Sequence, residues 1–225
     1  SIMNLIAKMV PPPRNVSLVI FVLLVLANTV CLSADEWVKK ADMISPRMLF
    51  SATIVNEKIY SVGGVKGLNL NSINTMESYD SLQNVWEQKT SMNVARCWLN
   101  IVELDGKIYA LSGTQDGNSA LPNIEEYDPI LDKWTIKKDM PHPVMDCSAT
   151  ALNGKIYIFG GFNLAEFREV YSYDPKNEKW EQKTSMPITT FSSSACAVNG
   201  KIYHMGGFNG QTVLSNVYEY DPILD

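Results

Sequence analysis

A repeat with a period near 48 residues constrains this chain more than any other feature. Trp37, Trp86, Trp134 and Trp180 are separated by 49, 48 and 46 residues, and Tyr60, Tyr109, Tyr157 and Tyr203 by the same three steps. Each of these tryptophans precedes its tyrosine by 23 residues. A third register, Tyr79-Asp80, Tyr127-Asp128, Tyr173-Asp174 and Tyr220-Asp221, moves with them, and its first three tyrosines precede a tryptophan by seven. Three registers in step mean that one supersecondary unit recurs and that neighbouring copies bury each other's apolar faces. The residues beyond Ala34 hold about four such units.

Turn residues divide each unit into four short strands, lettered a to d. Strand a is small and apolar, as in Ser51-Ala52-Thr53-Ile54-Val55 and Ser194-Ala195-Cys196-Ala197-Val198. It ends on Asp105-Gly106, Asn153-Gly154 or Asn199-Gly200, pairs that favour two-residue hairpins, with Asn56-Glu57 the one departure. Strand b is apolar throughout, as in Ile156-Tyr157-Ile158-Phe159, which predicts burial on both faces. It closes on Gly63-Gly64, Gly160-Gly161 or Gly206-Gly207, or on Gly113 after Ser112, where close backbone approach is expected. Strand c ends in Tyr-Asp, and Asp80, Asp128, Asp174 and Asp221 read as turn caps rather than a catalytic acid series. Strand d carries Trp86, Trp134 or Trp180 among charged neighbours, as an outer edge strand does, and these aromatics are expected to pack adjacent units.

The gradient from small residues in a to charged residues in d orders the strands from a crowded centre to a wet rim. That is the blade of an all-β propeller, in which four-stranded antiparallel sheets radiate from a channel. The glycine pairs, Tyr-Asp and Trp at this spacing resemble the kelch repeat over residues 35–225. In pattern they are closest to the propeller of the kelch-like (BTB-BACK-kelch) cullin-ligase adaptors. The repeats then run 45–93, 94–141, 142–187 and 188–225, the last without strand d, behind an orphan strand d at 35–44. Kelch propellers resemble six- or seven-bladed rings, so the resemblance implies about four repeats of a larger, partial propeller.

Residues 1–34 have a different character. Lys8 and Arg14 precede the apolar run Val16 to Ala27, and the small residues Cys31, Ser33 and Ala34 follow. This is the layout of a secretory signal cleaved after Ser33 or Ala34, with an uncleaved anchor or a non-native leader as the other readings. An authentic leader places the chain in the secretory pathway, whereas the kelch-like resemblance implies the cytoplasm. The remaining cysteines, Cys97, Cys147 and Cys196, are odd in number and sit at unlike repeat positions, which is no disulfide framework. Arg96 directly precedes Cys97 and makes it the one candidate for a stabilised thiolate.

A net charge of −5 and the absence of a Lys/Arg run exclude a nucleic-acid footprint. Two histidines and scattered cysteines supply neither a metal site nor a Cys/His nucleophile, so no catalytic residue, metal or cofactor is expected. Strand direction alternates, so the b-to-c and d-to-a connections share one face. From the last glycine to the tyrosine of Tyr-Asp the b-to-c steps are 15, 14, 12 and 13, and loops that vary over a fixed scaffold carry recognition. This face is expected to present Lys66, Asn69 and Asn71 from the first repeat, and Gln115, Asp116 and Asn118 from the second. The third supplies Phe162, Asn163, Glu166, Phe167 and Arg168, and the fourth Phe208, Asn209 and Gln211. The d-to-a connections add Arg47, Arg96 and His142. Arginines and aromatics around a shallow opening suit an acidic or extended peptide.

The kelch-like resemblance implies capture of a target protein, in those adaptors for a ubiquitin ligase recruited by BTB and BACK domains. Other kelch proteins bind actin, and a few are copper oxidases of the galactose-oxidase kind, using two histidines and paired tyrosines. His142 and His204, on different parts of their repeats, match that ligand set poorly. The sequence therefore reads as a non-catalytic module for a protein or peptide partner. An actin-binding cytoskeletal role is the alternative and an oxidase the second alternative, with membrane contact only through residues 1–34.

Overall fold

The computed structural model describes residues 37–67 and 71–225 and is all β. Strands β1 (Ser51–Val55), β2 (Lys58–Val62), β3 (Met76–Asp80) and β4 (Val85–Lys89) form blade 1. Blade 2 is β5 (Asn100–Leu104), β6 (Lys107–Leu111), β7 (Ile124–Asp128) and β8 (Lys133–Lys137). Blade 3 is β9 (Ser148–Leu152), β10 (Lys155–Phe159), β11 (Val170–Asp174) and β12 (Lys179–Lys183), and blade 4 is β13 (Ser194–Val198), β14 (Lys201–Met205) and β15 (Val217–Tyr220). Each sheet is an antiparallel meander in chain order, with Thr53 opposite Tyr60 and Tyr79 opposite Trp86 setting the register that recurs in blades 2 and 3. Residues 37–44, the described part of the expected strand d at 35–44, join no ladder. The leader lies outside the described residues, and no helix among the described residues is long and apolar enough to cross a membrane.

The inner strands β1, β5, β9 and β13 surround one opening of about 400 Å³ lined by Thr53, Glu103, Thr150, Cys196 and their neighbours. Small residues let these strands crowd together, as the sequence gradient requires. Adjacent blades share an apolar seam built from the same repeat positions each time. Val55, Tyr60, Val62 and Met76 of blade 1 meet Leu99, Ile101, Ile108 and Tyr127 of blade 2. Leu104, Tyr109, Leu111 and Ile124 then meet Cys147, Ile156, Ile158 and Tyr173, and Tyr157, Phe159 and Val170 meet Ile202 and Tyr220. Strands β6 and β10 are accordingly buried on both faces, whereas β14 alternates, because only one of its faces meets a neighbouring blade.

Side chains pin the blades from outside. The indole Nε1 of Trp86, Trp134 and Trp180 donates to the carbonyls of Ala41, Thr90 and Lys138, each in the segment that leads into the tryptophan's own blade. The Tyr-Asp carboxylates do cap their own turns: Asp80 accepts from the Leu82 and Gln83 amides at 3.0 Å, and Asp128, Asp174 and Asp221 repeat the arrangement. Those amides hold the carboxyls of Asp80 and Asp174 below the usual carboxylate range, with Asn177 the main donor at Asp174. Asn56-Glu57, the exception among the hairpin pairs, still turns with φ of 47° and 64°, so Glu57 adopts the left-handed backbone that glycine adopts elsewhere.

Candidate protein-binding face

The b-to-c and d-to-a loops knit into one surface through a bridge that repeats in every blade. Met48 pairs with Val65, Cys97 with Thr114, Met145 with Phe162 and Phe191 with Phe208. The residue after each d-to-a bridge position has a left-handed backbone: Leu49 (φ 57°), Trp98 (50°), Asp146 (54°) and Ser192 (51°). Such conformations cost on the order of 1–3 kcal/mol each and persist only when their surroundings over-determine them. Here the constraint is a row of hydrogen bonds from blade to blade, Trp98 N–H to Leu49 O (3.1 Å), Asp146 N–H to Trp98 O (3.0 Å) and Ser192 N–H to Asp146 O (3.0 Å). The rim is thus rigid backbone, and the side chains at these positions project from it.

Trp98, Met145, Asp146, Phe162 and Phe191 enclose a cleft of about 160 Å³ over the seam of blades 2, 3 and 4, with Gly117 at its edge. Its wall continues as an aromatic row, Phe162 to Phe191 at 5.5 Å and Phe191 to Phe208 at 5.4 Å between ring centres. Asp146 is its one acid. Burial pushes that carboxyl above the usual range, opposed by the hydrogen bond donated by Ser192 Oγ. A partner bringing a donor or a cation to Asp146 would restore the charge that burial disfavours.

Not every expected face residue is available. Arg47 and Arg96 are not: their guanidinium groups are buried against Glu77 and, at 2.7 Å, Glu125. Arg96 also donates to the carbonyls of Ser112 and Asn123, and Glu125 accepts the amides of Asn93 and Val94, so each pair stitches a d-to-a loop to strand c. Phe167 packs on the seam of blades 2 and 3. Asn209 and Asp116 cap their own loops through the amides of Gln211 and Thr212 and of Asn118 and Ser119, and Asn163 Nδ2 donates to Pro143 O. Lys66, Asn71, Gln115, Asn118, Arg168 and Gln211 are exposed, Glu166 and Phe208 partly so, and His142 is exposed while stacked on Tyr171 at 5.6 Å. Asn69 lies outside the described residues. Sequence reasoning missed Trp98, Met145, Asp146 and Phe191. The signal for them was positional, since each stands in the segment just before a strand a.

A larger groove, about 270 Å³, opens on the opposite face between blades 2 and 3 beside Lys107, Tyr109, Glu126, Lys137 and Lys176. Its charges are spent on one another: Lys107 and Tyr109 both bind Glu126, at 2.6 and 2.8 Å, and Lys137 binds Glu178 at 2.7 Å. Among the described residues no group of three or more His, Cys, Asp or Glu side chains is placed to hold a metal ion.

The sequence model of the Attractin/LZTR1 beta-propeller family matches residues 27–221. The chain belongs to that family. Its repeats are also similar to those of Kelch-like protein 25 from Xenopus laevis, 29% identical over 139 residues, and of Beta-scruin from Limulus polyphemus, 33% identical over 141 residues. These matches cover 58% and 60% of this chain but only 23% and 15% of the relatives. Among solved structures, the one titled "Structure of YjhT" superposes with a TM-score of 0.69 at 14% identity, covering 78% of this chain and 64% of that one, which shows the fold alone. The Attractin/LZTR1 beta-propeller family thus accounts for the blades, and this chain's own side chains make the cleft.

The thiol reading changes with the structure. Cys97 is buried and its pKa is raised, chiefly by burial, while Arg96 is turned to Glu125 rather than to the thiol. Burial likewise pushes Cys147 up to about 11. Cys196 is exposed at the inner strand of blade 4. Alkylation of the native protein near neutral pH, mapped by peptide mass spectrometry, is therefore expected to label Cys196 and to leave Cys97 and Cys147 unmodified until denaturant is added. Labelling of Cys97 at the rate of Cys196 would contradict this.

Proposed function

We propose that this propeller is a non-catalytic protein-interaction module. On this reading the cleft of Trp98, Met145, Phe162 and Phe191 holds an apolar anchor of an extended partner segment, and Asp146 accepts a donor or basic group beside it. The observation that carries the proposal is the concentration of partly exposed aromatics on a strained, over-determined rim, since rigid aromatic pockets supply most binding energy at protein interfaces. Kinship with the repeats of the kelch-like protein and of scruin supports the same class of role. With Arg47 and Arg96 withdrawn into ion pairs, the partner is better described by its apolar anchor than by acidity.

Selection of displayed peptides on the chain tests this directly. Enriched peptides are expected to share an aromatic or aliphatic anchor, and Phe162→Ala or Trp98→Ala to weaken them about tenfold or more, with Lys176→Ala on the opposite face neutral. Peptides that bind both cleft variants as tightly as the parent would overturn the assignment. F-actin co-sedimentation, unaffected by Phe162→Ala, would favour the cytoskeletal alternative at another surface.

A further inference from the structure

Asp146 gives the cleft a charge that an apolar anchor leaves unanswered. Its Oδ2 accepts from Ser192 Oγ, and its Oδ1 has no hydrogen-bond partner among the described residues. No lysine, arginine or histidine lines the cleft, whose other walls are Trp98, Gly117, Met145, Phe162 and Phe191. An aliphatic side chain seated there would strip the remaining water from the carboxylate and bring no counter-charge, which is costly for a buried ion.

The walls suit a cation of one kind. Trp98, Phe162 and Phe191 are aromatic and half-buried, and the rings of Phe162 and Phe191 are inclined at 48° rather than stacked. Aromatic faces attract a cation within about 6 Å of the ring centre, and a group that fills about 160 Å³ touches every wall. That volume is below the roughly 300–1,000 Å³ of pockets that enclose a whole small molecule, so the cleft takes a head group carried on a longer chain. An unmodified lysine ammonium brings three donors and an arginine five, whereas Asp146 Oδ1 is the one side-chain oxygen of the lining left open to accept. Methylation keeps the charge and replaces donors with methyl groups. A dimethylammonium retains one N–H, matching one open acceptor, and offers its methyl groups to the rings.

We infer that the cleft recognises a lysine dimethylated on Nζ, whose remaining N–H donates to Asp146 Oδ1 while its methyl groups lie against Trp98, Phe162 and Phe191. The inference rests on the cleft being the partner site proposed above, and it names the anchor: apolar in surface and cationic in charge. A choline head group shares the methylated ammonium. Its phosphate, however, would stand near Asp146 with no cationic side chain in the lining to meet it, so charge complementarity favours the lysine of a partner segment.

N-acetyl-lysine amide, its Nζ-dimethyl form and neutral N-acetyl-norleucine amide test the head group apart from any peptide sequence. NMR titration of the isotope-labelled chain follows the Trp98 indole N–H, assigned through Trp98→Phe. The dimethylated probe is expected to shift that signal and to bind about tenfold or more tighter than either of the others. Asp146→Asn preserves side-chain size and is expected to remove most of the advantage over norleucine, with unmoved signals from the other indoles showing that the fold is kept. A dimethylated probe that leaves the Trp98 signal in place overturns the inference, as does equal binding by the unmodified lysine amide or an Asp146→Asn variant that binds as the parent does. Equal binding by norleucine also overturns it but leaves the apolar-anchor reading standing, which the display selection tests separately. Phosphocholine binding as tightly as the dimethylated probe would assign the cleft to a lipid head group and overturn the lysine assignment.

Discussion

Replacing Arg96 with methionine is expected to destabilise the propeller by about 3–5 kcal/mol, because breaking a fully buried ion pair leaves an uncompensated charge in a low-dielectric site. Glu125 would keep only the amides of Asn93 and Val94 and the Asn93 side chain, and the carbonyls of Ser112 and Asn123 would lose the guanidinium that now bridges them. For a domain of this size the melting temperature should fall by on the order of 10 °C. Arg168→Ala, at an exposed loop position, should stay within about 0.5 kcal/mol of the parent. The repeat itself offers a further check. At the positions of Arg96 and Glu125, blade 3 has Val144 and Tyr171, both buried. The double variant Arg96→Val with Glu125→Tyr should therefore be more stable than Arg96→Val alone, as apolar replacement of a whole buried pair is often tolerated. Chemical denaturation of the parent and the four variants measures all of this. An Arg96→Met cost below about 1 kcal/mol would show the pair to be dispensable.

That pair also marks where sequence reading succeeds and where it stops. The four-strand order of the blades, the glycine pairs, the Tyr-Asp caps and the inter-blade tryptophans were legible because each is a local rule repeated three or four times in one register. Arg47 and Arg96 were misread as surface groups because a lone arginine in a loop is usually solvated. Their burial could have been inferred only by pairing positions across a repeat. Arg47 and Arg96 occur where strand c carries Glu77 and Glu125, and where the acid gives way to Tyr171 or Tyr218 the arginine gives way to Val144 or Thr190. The cleft was harder still. Trp98, Asp146 and Phe191 come from different d-to-a segments, and no single repeat contains the site; only the row of backbone hydrogen bonds between blades assembles it.

Gly160→Ala tests that assembly at its tightest point and should be among the most damaging single methyl additions in the chain. Gly160 has φ of +58°, a region that costs an L-residue about 1–2 kcal/mol. A Cβ there would also fall well inside contact distance of the Thr190 carbonyl oxygen and 3.1 Å from that of Phe167. Both carbonyls belong to the seam between blades 3 and 4: Thr190 O accepts from Gly161 N–H, and Phe167 O from Thr190 N–H. Backbone cannot yield as a flexible side chain does, so relieving the contact means giving up those two hydrogen bonds, at about 0.5–1.5 kcal/mol each. The expected total is on the order of 4 kcal/mol. Gly154, in the a-to-b turn of the same blade, supplies the control: its φ is +74° but nothing lies within 4 Å of an added Cβ, so Gly154→Ala should cost only about 1 kcal/mol. Urea unfolding midpoints of the two variants separate backbone strain, which both share, from the steric demand of the seam, which only Gly160 meets; equal midpoints would remove the seam from the account. Because Thr190 precedes Phe191, the same substitution moves a wall of the cleft, and Gly160→Ala should weaken anchor peptides in conditions where the protein is still folded, whereas Gly154→Ala should not.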